Sequence, residues 1–180
     1  MNPNVSSTKK MILCAFFAAL TAIFSQITLP LPFTPVPINL ATLSVLMAGA
    51  LLGAKAGAVS QLIYLLAGAV GLPVFSRFSG GLSVLVGPTG GYLIGYLFAA
   101  LVAGARCKKT NRHKITTIFT MIFAMVICYL FGTMWYILST HTPLSAALTT
   151  CVLPFLAGDA IKIIIALVLI PSLRDKRVVA

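Results

Sequence analysis

Long apolar runs, parted by short segments that hold most of the Lys and Arg residues, constrain this chain more than any other feature. The runs cover about 11–29, 38–52, 56–70, 92–105, 115–138 and 144–170. A helix that crosses a bilayer needs roughly 20 apolar residues. Only 8% of the residues are charged and 59% are apolar, whereas a soluble domain carries about a quarter charged residues. Such a surface cannot be solvated by water, so its solvent is lipid. A membrane β-barrel would alternate apolar and polar residues in segments of about ten; continuous runs favour helices. The sequence therefore predicts an all-α integral membrane protein. It has one domain over 1–180, with six transmembrane helices and a Gly/Pro-rich extracellular loop between helices 3 and 4.

The formal net charge of +11 suggests nucleic acid at first sight. The basic residues cluster between apolar runs, without interleaved aromatics, and basic loops on one membrane side explain them more simply. With a cytoplasmic N-terminus, an even number of spans puts both termini inside. Lys9, Lys10, Lys55, Arg106, Lys108, Lys109, Arg112, Lys114, Arg174, Lys176 and Arg177 then all lie inside, which is 11 of the 13 Lys and Arg residues. Arg77 alone lies outside, and Lys162 falls within the sixth span. The expected location is the cell membrane, multi-pass, with both termini cytoplasmic. Lys9 and Lys10 before an apolar run resemble a signal peptide. No clear cleavage site follows, so the run is read as a retained first helix.

Between spans one and two, Pro30, Pro32, Pro35 and Pro37 exclude a helix and favour extended chain. Between spans three and four, 71–91 is apolar enough for membrane depth yet holds six glycines and two prolines. Irregular backbone at such depth is tolerated only under protein cover or beside a cavity. Small residues recur at every fourth position: Ala15 and Ala19, Ala18 and Ala22, and Gly49, Gly53 and Gly57. They permit close helix packing, either within the chain or against another membrane subunit. The terminal position of span one makes its alanines the better docking candidate.

The chain has two acidic residues. Asp175 lies in the basic tail, where water solvates it. Asp159 and Lys162 lie inside span six, where each charge costs on the order of 3 kcal/mol. Their spacing of three puts them on one helix face. They form either a self-neutralising structural pair or a pair that holds a polar ligand. Pro154 and Gly158 loosen the helix just before them, as happens where helices line a site. Arg77 in the glycine-rich loop either grips a carboxylate by a two-pronged bond or meets lipid headgroups. Of the aromatics near that face, Phe33, Phe75, Phe78, Tyr92, Trp135 and Tyr136, Phe75 and Tyr92 flank the loop and suit a pocket wall. Trp135 suits an interface anchor.

Cys14, Cys107, Cys128 and Cys151 form no CxxC and are read as small buried hydrophobes. No P-loop and no metal-ligand motif occurs. His113 and His141 fall in loops, away from any nucleophile within the membrane. An intramembrane enzyme acting through Asp159 therefore has little support, and no cofactor or metal is expected.

Three stretches carry a family resemblance. The first is Pro35-Val36-Pro37-Ile38, leading to Val45-Leu46-Met47-Ala48-Gly49. The second runs from Tyr64-Leu65 through Gly71-Leu72-Pro73-Val74-Phe75 and Gly80-Gly81-Leu82 to Gly87-Pro88-Thr89-Gly90-Gly91-Tyr92. The third is Pro154-Phe155 through Gly158-Asp159 to Lys162. The chain resembles the BioY family, the biotin-specific substrate-binding (S) subunits of energy-coupling-factor (ECF) transporters. One departure is Asn39-Leu40-Ala41, where the family often has Thr-Leu-Gln; Asn39 can still hydrogen-bond. The resemblance implies a high-affinity biotin-binding subunit for uptake, with both termini cytoplasmic. It implies that Asp159 and Lys162 contact the ligand near its ureido ring. It also implies that the alanine face of span one docks on a membrane-embedded coupling subunit, with two cytoplasmic ATPases completing the transporter. Phe75 and Tyr92 suit the thiophane ring and valerate chain. Arg77, or the backbone and hydroxyl of Gly87, Thr89, Gly90 and Gly91, suit the carboxylate. A self-sufficient biotin carrier is the alternative.

Overall fold

The computed structural model describes residues 7–32, 34, 36–107 and 114–175. Phe33, Pro35, Lys108, Lys109, Arg112, His113, Lys176 and Arg177 lie outside the described residues, as do the side chains of Arg106, Cys107, Lys114, Arg174 and Asp175. The described chain forms helices α1 (Ser7–Gln26), α2 (Ala41–Leu52), α3 (Ala54–Ala69), α4 (Leu82–Val86), α5 (Gly90–Cys107), α6 (Lys114–Thr140), α7 (Leu144–Cys151) and α8 (Leu153–Asp175). Among the described residues, three stretches are long and apolar enough to cross a membrane: Ser7–Gln26, Ile115–Thr140 and Leu144–Leu173. The first five expected spans each fall on one helix, and the sixth falls on α7 and α8 together.

Three local features depart from the sequence reading. Thr28–Leu29 and Ile38–Asn39 form a two-stranded antiparallel ladder, β1 and β2, with Thr28 opposite Asn39. The proline segment is thus flanked by paired strands, and α2 starts at Ala41, three residues later than expected. The 71–91 segment is not wholly irregular: it holds a 3-10 turn over Ser76–Phe78 and the short helix α4. Gly81, at φ +95°, admits the left-handed backbone that opens α4, and its N–H reaches the Gly68 carbonyl at 2.7 Å. The sixth span is broken at Val152 (φ −125°, ψ −57°). Pro154 sits in the first turn of α8, where its missing N–H costs nothing.

α2 is apolar all round, and ten of its twelve residues are buried. A helix of that kind belongs at the centre of a bundle. α1, α3, α5 and α8 pack around it, and α6 packs on α5. Glycine sets the α2–α3–α5 approach. A Cβ at Gly104 would collide with the backbone of Gly53 and Ala54, and one at Gly49 with Ala100 and Ala103. Polar side chains also join the helices inside the bundle. Thr21 on α1 meets Ser44 on α2 at 3.0 Å, and Gln61 on α3 donates to Thr21 at 3.3 Å. Where no water competes, such bonds hold helices together. Outward, α6 and α8 expose Phe119, Phe123, Ile161, Ile164 and Val168, as lipid-facing helices do.

α1 presents two different faces. Ala15 and Ala19 point outward, whereas Ala18 is buried and Ala22 half-buried. The structure thus corrects the expected four-alanine docking face: Ala18 is spent on packing within the chain, and only Ala15 and Ala19 form an outward pair.

Gly104→Ala should cost about 1–3 kcal/mol, because the opposing atoms are backbone and cannot rotate away. Thermal unfolding in detergent reads the loss; an unchanged midpoint would contradict the close α3–α5 contact.

Candidate functional site

Among the described residues, Asp159 and Lys162 are the charged side chains most withdrawn from solvent, 5% and 4% exposed. Their spacing on α8 brings Lys162 Nζ to 2.7 Å from Asp159 Oδ1. Burying two charges is tolerated only when the remaining hydrogen-bonding capacity is met. Here most of it is met from two other helices. The Thr42 hydroxyl, in the first turn of α2, accepts from Lys162 Nζ at 3.0 Å and donates to Asp159 Oδ1 at 3.4 Å. The Tyr129 hydroxyl on α6 donates to Asp159 Oδ2. A carboxylate offers about four lone-pair sites and an ammonium three donors. Three acceptor sites and two N–H groups are engaged, which leaves one of each.

The pair faces a cavity of about 190 Å³. Asn39, Thr42 and Tyr129 line it beside the pair. Aromatic and apolar walls come from Tyr92, Leu93 and Tyr96 on α5, Met125 and Cys128 on α6, and Phe155 on α8. The segment at 75–79 closes one side through Phe75, Ser76, Arg77 and Ser79. The pair is therefore both a structural ion pair and a cavity wall.

Local contacts fix that segment. The Phe75 ring meets Tyr64 edge to face at 5.5 Å and fills the space a side chain at Gly68 would need. Phe75 N–H donates to the Ser79 carbonyl at 2.9 Å. The end of α1 clamps the same stretch. Ser25 Oγ donates to the Val74 carbonyl at 2.6 Å. Gln26 Nε2 donates to the Phe75 carbonyl at 3.0 Å, and its Oε1 accepts from Phe78 N–H at 2.8 Å. Arg77 and Phe78 are both left-handed, with φ of 60° and 55°, an uncommon conformation for bulky residues. The clamp holds it. Arg77 is exposed at this edge, and its guanidinium makes no hydrogen bond or ion pair among the described residues.

Seven of the ten expected ligand-site residues surround this one cavity: Asp159, Lys162, Arg77, Asn39, Phe75, Thr89 and Tyr92. Asn39 also ties two elements, donating to Ser76 Oγ at 3.0 Å and accepting from Ala41 N–H at 3.1 Å. Gly87, Gly90 and Gly91 are not among the lining residues. The Gly87 carbonyl accepts from Trp135 Nε1 at 3.0 Å, and Gly91 packs on Trp135. Gly90 lies against the Leu85 backbone. Gly87 and Gly91 therefore seat the loop against α6, Gly90 packs it on α4, and the Trp135 N–H, expected to face an interface, serves that seat.

Sequence reasoning missed Thr42, Tyr96, Tyr129, Phe155 and Ser76. Tyr96 had a signal, since it lies one turn after Tyr92 on the same face. Phe155 adjoins the noted Pro154. Tyr129 and Thr42 gave none: one Tyr or Thr in an apolar run is unremarkable until its partner is known. Cys14, Cys128 and Cys151 are buried and unpaired, as expected of small hydrophobes, and Cys128 also reaches the cavity.

The model of the BioY family matches residues 1–178. A protein of Pyrococcus horikoshii, described as a probable biotin transporter BioY, is 37% identical over 92% of this chain and 96% of its own length. A biotin transporter BioY of Lactococcus lactis subsp. cremoris is 34% identical over 96% of this chain and 94% of its own length. Among solved structures, the crystal structure of the S-component for biotin from an ECF-type ABC transporter superposes with a TM-score of 0.89. It is 32% identical and covers 97% of this chain and 95% of the other.

Lys162→Met should destabilise the fold by about 3–5 kcal/mol, because it strands a buried carboxylate. Asp159→Leu combined with Lys162→Met should lose less than Lys162→Met alone. Denaturation of both variants decides it, and a larger loss in the double variant would deny the mutual dependence of the two charges.

Proposed function

The chain belongs to the BioY family, and from that premise we propose that it is the biotin-binding S component of an ECF-type ABC transporter, taking biotin into the cell. One observation carries the reading: a buried carboxylate and ammonium, each with one free hydrogen-bonding position, face a mostly apolar and aromatic cavity. The biotin ureido ring presents N–H donors and a carbonyl acceptor in one plane. Its N–H groups complement the open site on Asp159, and its carbonyl complements the open N–H of Lys162. Thr42 and Tyr129 hold the two charged groups in place before the ligand arrives, which lowers the ordering cost of binding. The thiophane ring and valerate chain suit Tyr92, Tyr96, Phe155 and Phe75. The carboxylate then reaches Arg77, unpartnered among the described residues, whose fork donates two parallel bonds to it.

The fold is all-helical and that of a membrane protein. Six spans with both termini cytoplasmic form part of the proposal, supported by the distribution of basic residues. The segment at 71–91 then faces outward, where biotin arrives. A transporter family leaves the enzyme alternative without a foothold. Uptake needs an energy source, and this chain has no P-loop. A membrane-embedded coupling subunit and two cytoplasmic ATPases supply it, and the outward pair Ala15 and Ala19 is the contact surface we assign to the coupling subunit. A carrier that works alone is the competing reading.

Titration calorimetry on the purified chain should show tight binding of biotin and none of an unrelated vitamin. Asp159→Asn should weaken binding by about 2 kcal/mol or more, about thirtyfold. Unchanged affinity in a monodisperse Asp159→Asn sample would remove the carboxylate from the site. Ala15→Trp with Ala19→Trp should leave binding intact and abolish uptake in cells. Continued uptake would refute docking through this face and favour the lone carrier.

A further inference from the structure

A second cavity, of about 730 Å³, lies at the other end of the bundle, between the start of α1, the α2–α3 turn and the end of α5. Its walls are mainly apolar. Met11, Val59 and Ile63 line it while remaining exposed, so they form an open trough rather than a closed core. Lys10, Lys55 and Ser7 line it too. Neither lysine has a carboxylate partner among the described residues.

Among the described residues no counter-charge is at hand. The chain has two acidic side chains. Asp159 is committed to Lys162 at the opposite cavity, which leaves Asp175 alone to face every other Lys and Arg. Two lysines and a hydroxyl at the edge of an apolar trough complement an anion that brings its own apolar body. Basic pockets between membrane helices meet this need with acidic lipid headgroups.

We infer that this groove holds an anionic phospholipid. Its phosphate is set between Lys10 and Lys55, with a hydrogen bond from Ser7, and an acyl chain lies along Met11, Val59 and Ile63. Lys10 sits on the helix that carries Ala15, and Ala15 itself lines the groove. Ala15 thus belongs to both surfaces, and the lipid holds the groove in the chain before it docks on the coupling subunit.

Native mass spectrometry of the whole chain, released from nanodiscs of equal phosphatidylglycerol and phosphatidylcholine, tests the inference. The native chain should retain phosphatidylglycerol preferentially. Lys10→Gln with Lys55→Gln should reduce that preference about thirtyfold, each lysine near an anionic surface being worth roughly fivefold. Val59→Trp keeps both lysines and fills the trough, and should expel the lipid as well. Biotin binding, whose site is remote, checks that each variant is folded. Equal retention of the two lipids by the native chain would overturn the proposal. Full retention by Val59→Trp would also overturn it, leaving only diffuse attraction to the charged surface. A dimer lost in Val59→Trp, with no lipid held, would assign the groove to a second copy of the chain instead.

Discussion

A pair of opposite charges inside an apolar bundle is the constraint around which the rest is arranged. Asp159 and Lys162 cannot be left to each other, because a carboxylate and an ammonium have more hydrogen-bonding capacity than one contact uses. Thr42 and Tyr129 take up part of it from α2 and α6. Three helices are thus tied at one point by the need to satisfy two charges. The residual capacity points into a cavity. The unmet part of the structural requirement is what makes the place fit for a polar ligand, so stability and binding draw on the same atoms.

The opposite wall is held by different means. No charge fixes the segment at 74–79; hydrogen bonds between its backbone and the side chains of Ser25 and Gln26, and the packing of Phe75 against Tyr64 and Gly68, do so. The contrast is physical. The α8 side is rigid because moving it would unpair buried charges. The 74–79 side is held by neutral bonds, each worth about 1 kcal/mol net.

Much of this was legible in the sequence. Helices follow from continuous apolar runs, and the key pair follows from the rarity of charge at membrane depth, since a lone Asp-x-x-Lys in such a run has few innocent explanations. The glycine-rich segment announced itself by composition. Its internal order did not: α4 is five residues between two glycine turns, too short for a periodic signal. The break at Val152 depends on how α7 and α8 pack, and Pro154 alone suggested only a loosened helix. Gly87, Gly90 and Gly91 looked like ligand-cradling backbone, because glycine permits close approach to a ligand and to a Trp side chain alike. Ala18 and Ala15 are the same residue type one turn apart, and only the three-dimensional packing tells the buried one from the outward one. Tyr129 and Thr42 matter solely through Asp159, a relation that no local window contains.

The joint between the end of α1 and the 74–79 segment has a kinematic consequence. One helix carries Ala15 and Ala19 on its outward side and, a few turns on, the Ser25 and Gln26 groups that grip the backbone beside Phe75 and Arg77. Being a single unbroken helix of 20 residues, it transmits displacement along its length with little compliance. A tilt of α1 against α3 must either drag the gripped segment along or part its hydrogen bonds together. The outward alanines and the edge of the cavity therefore do not move independently: they share one degree of freedom, with α1 as its lever arm.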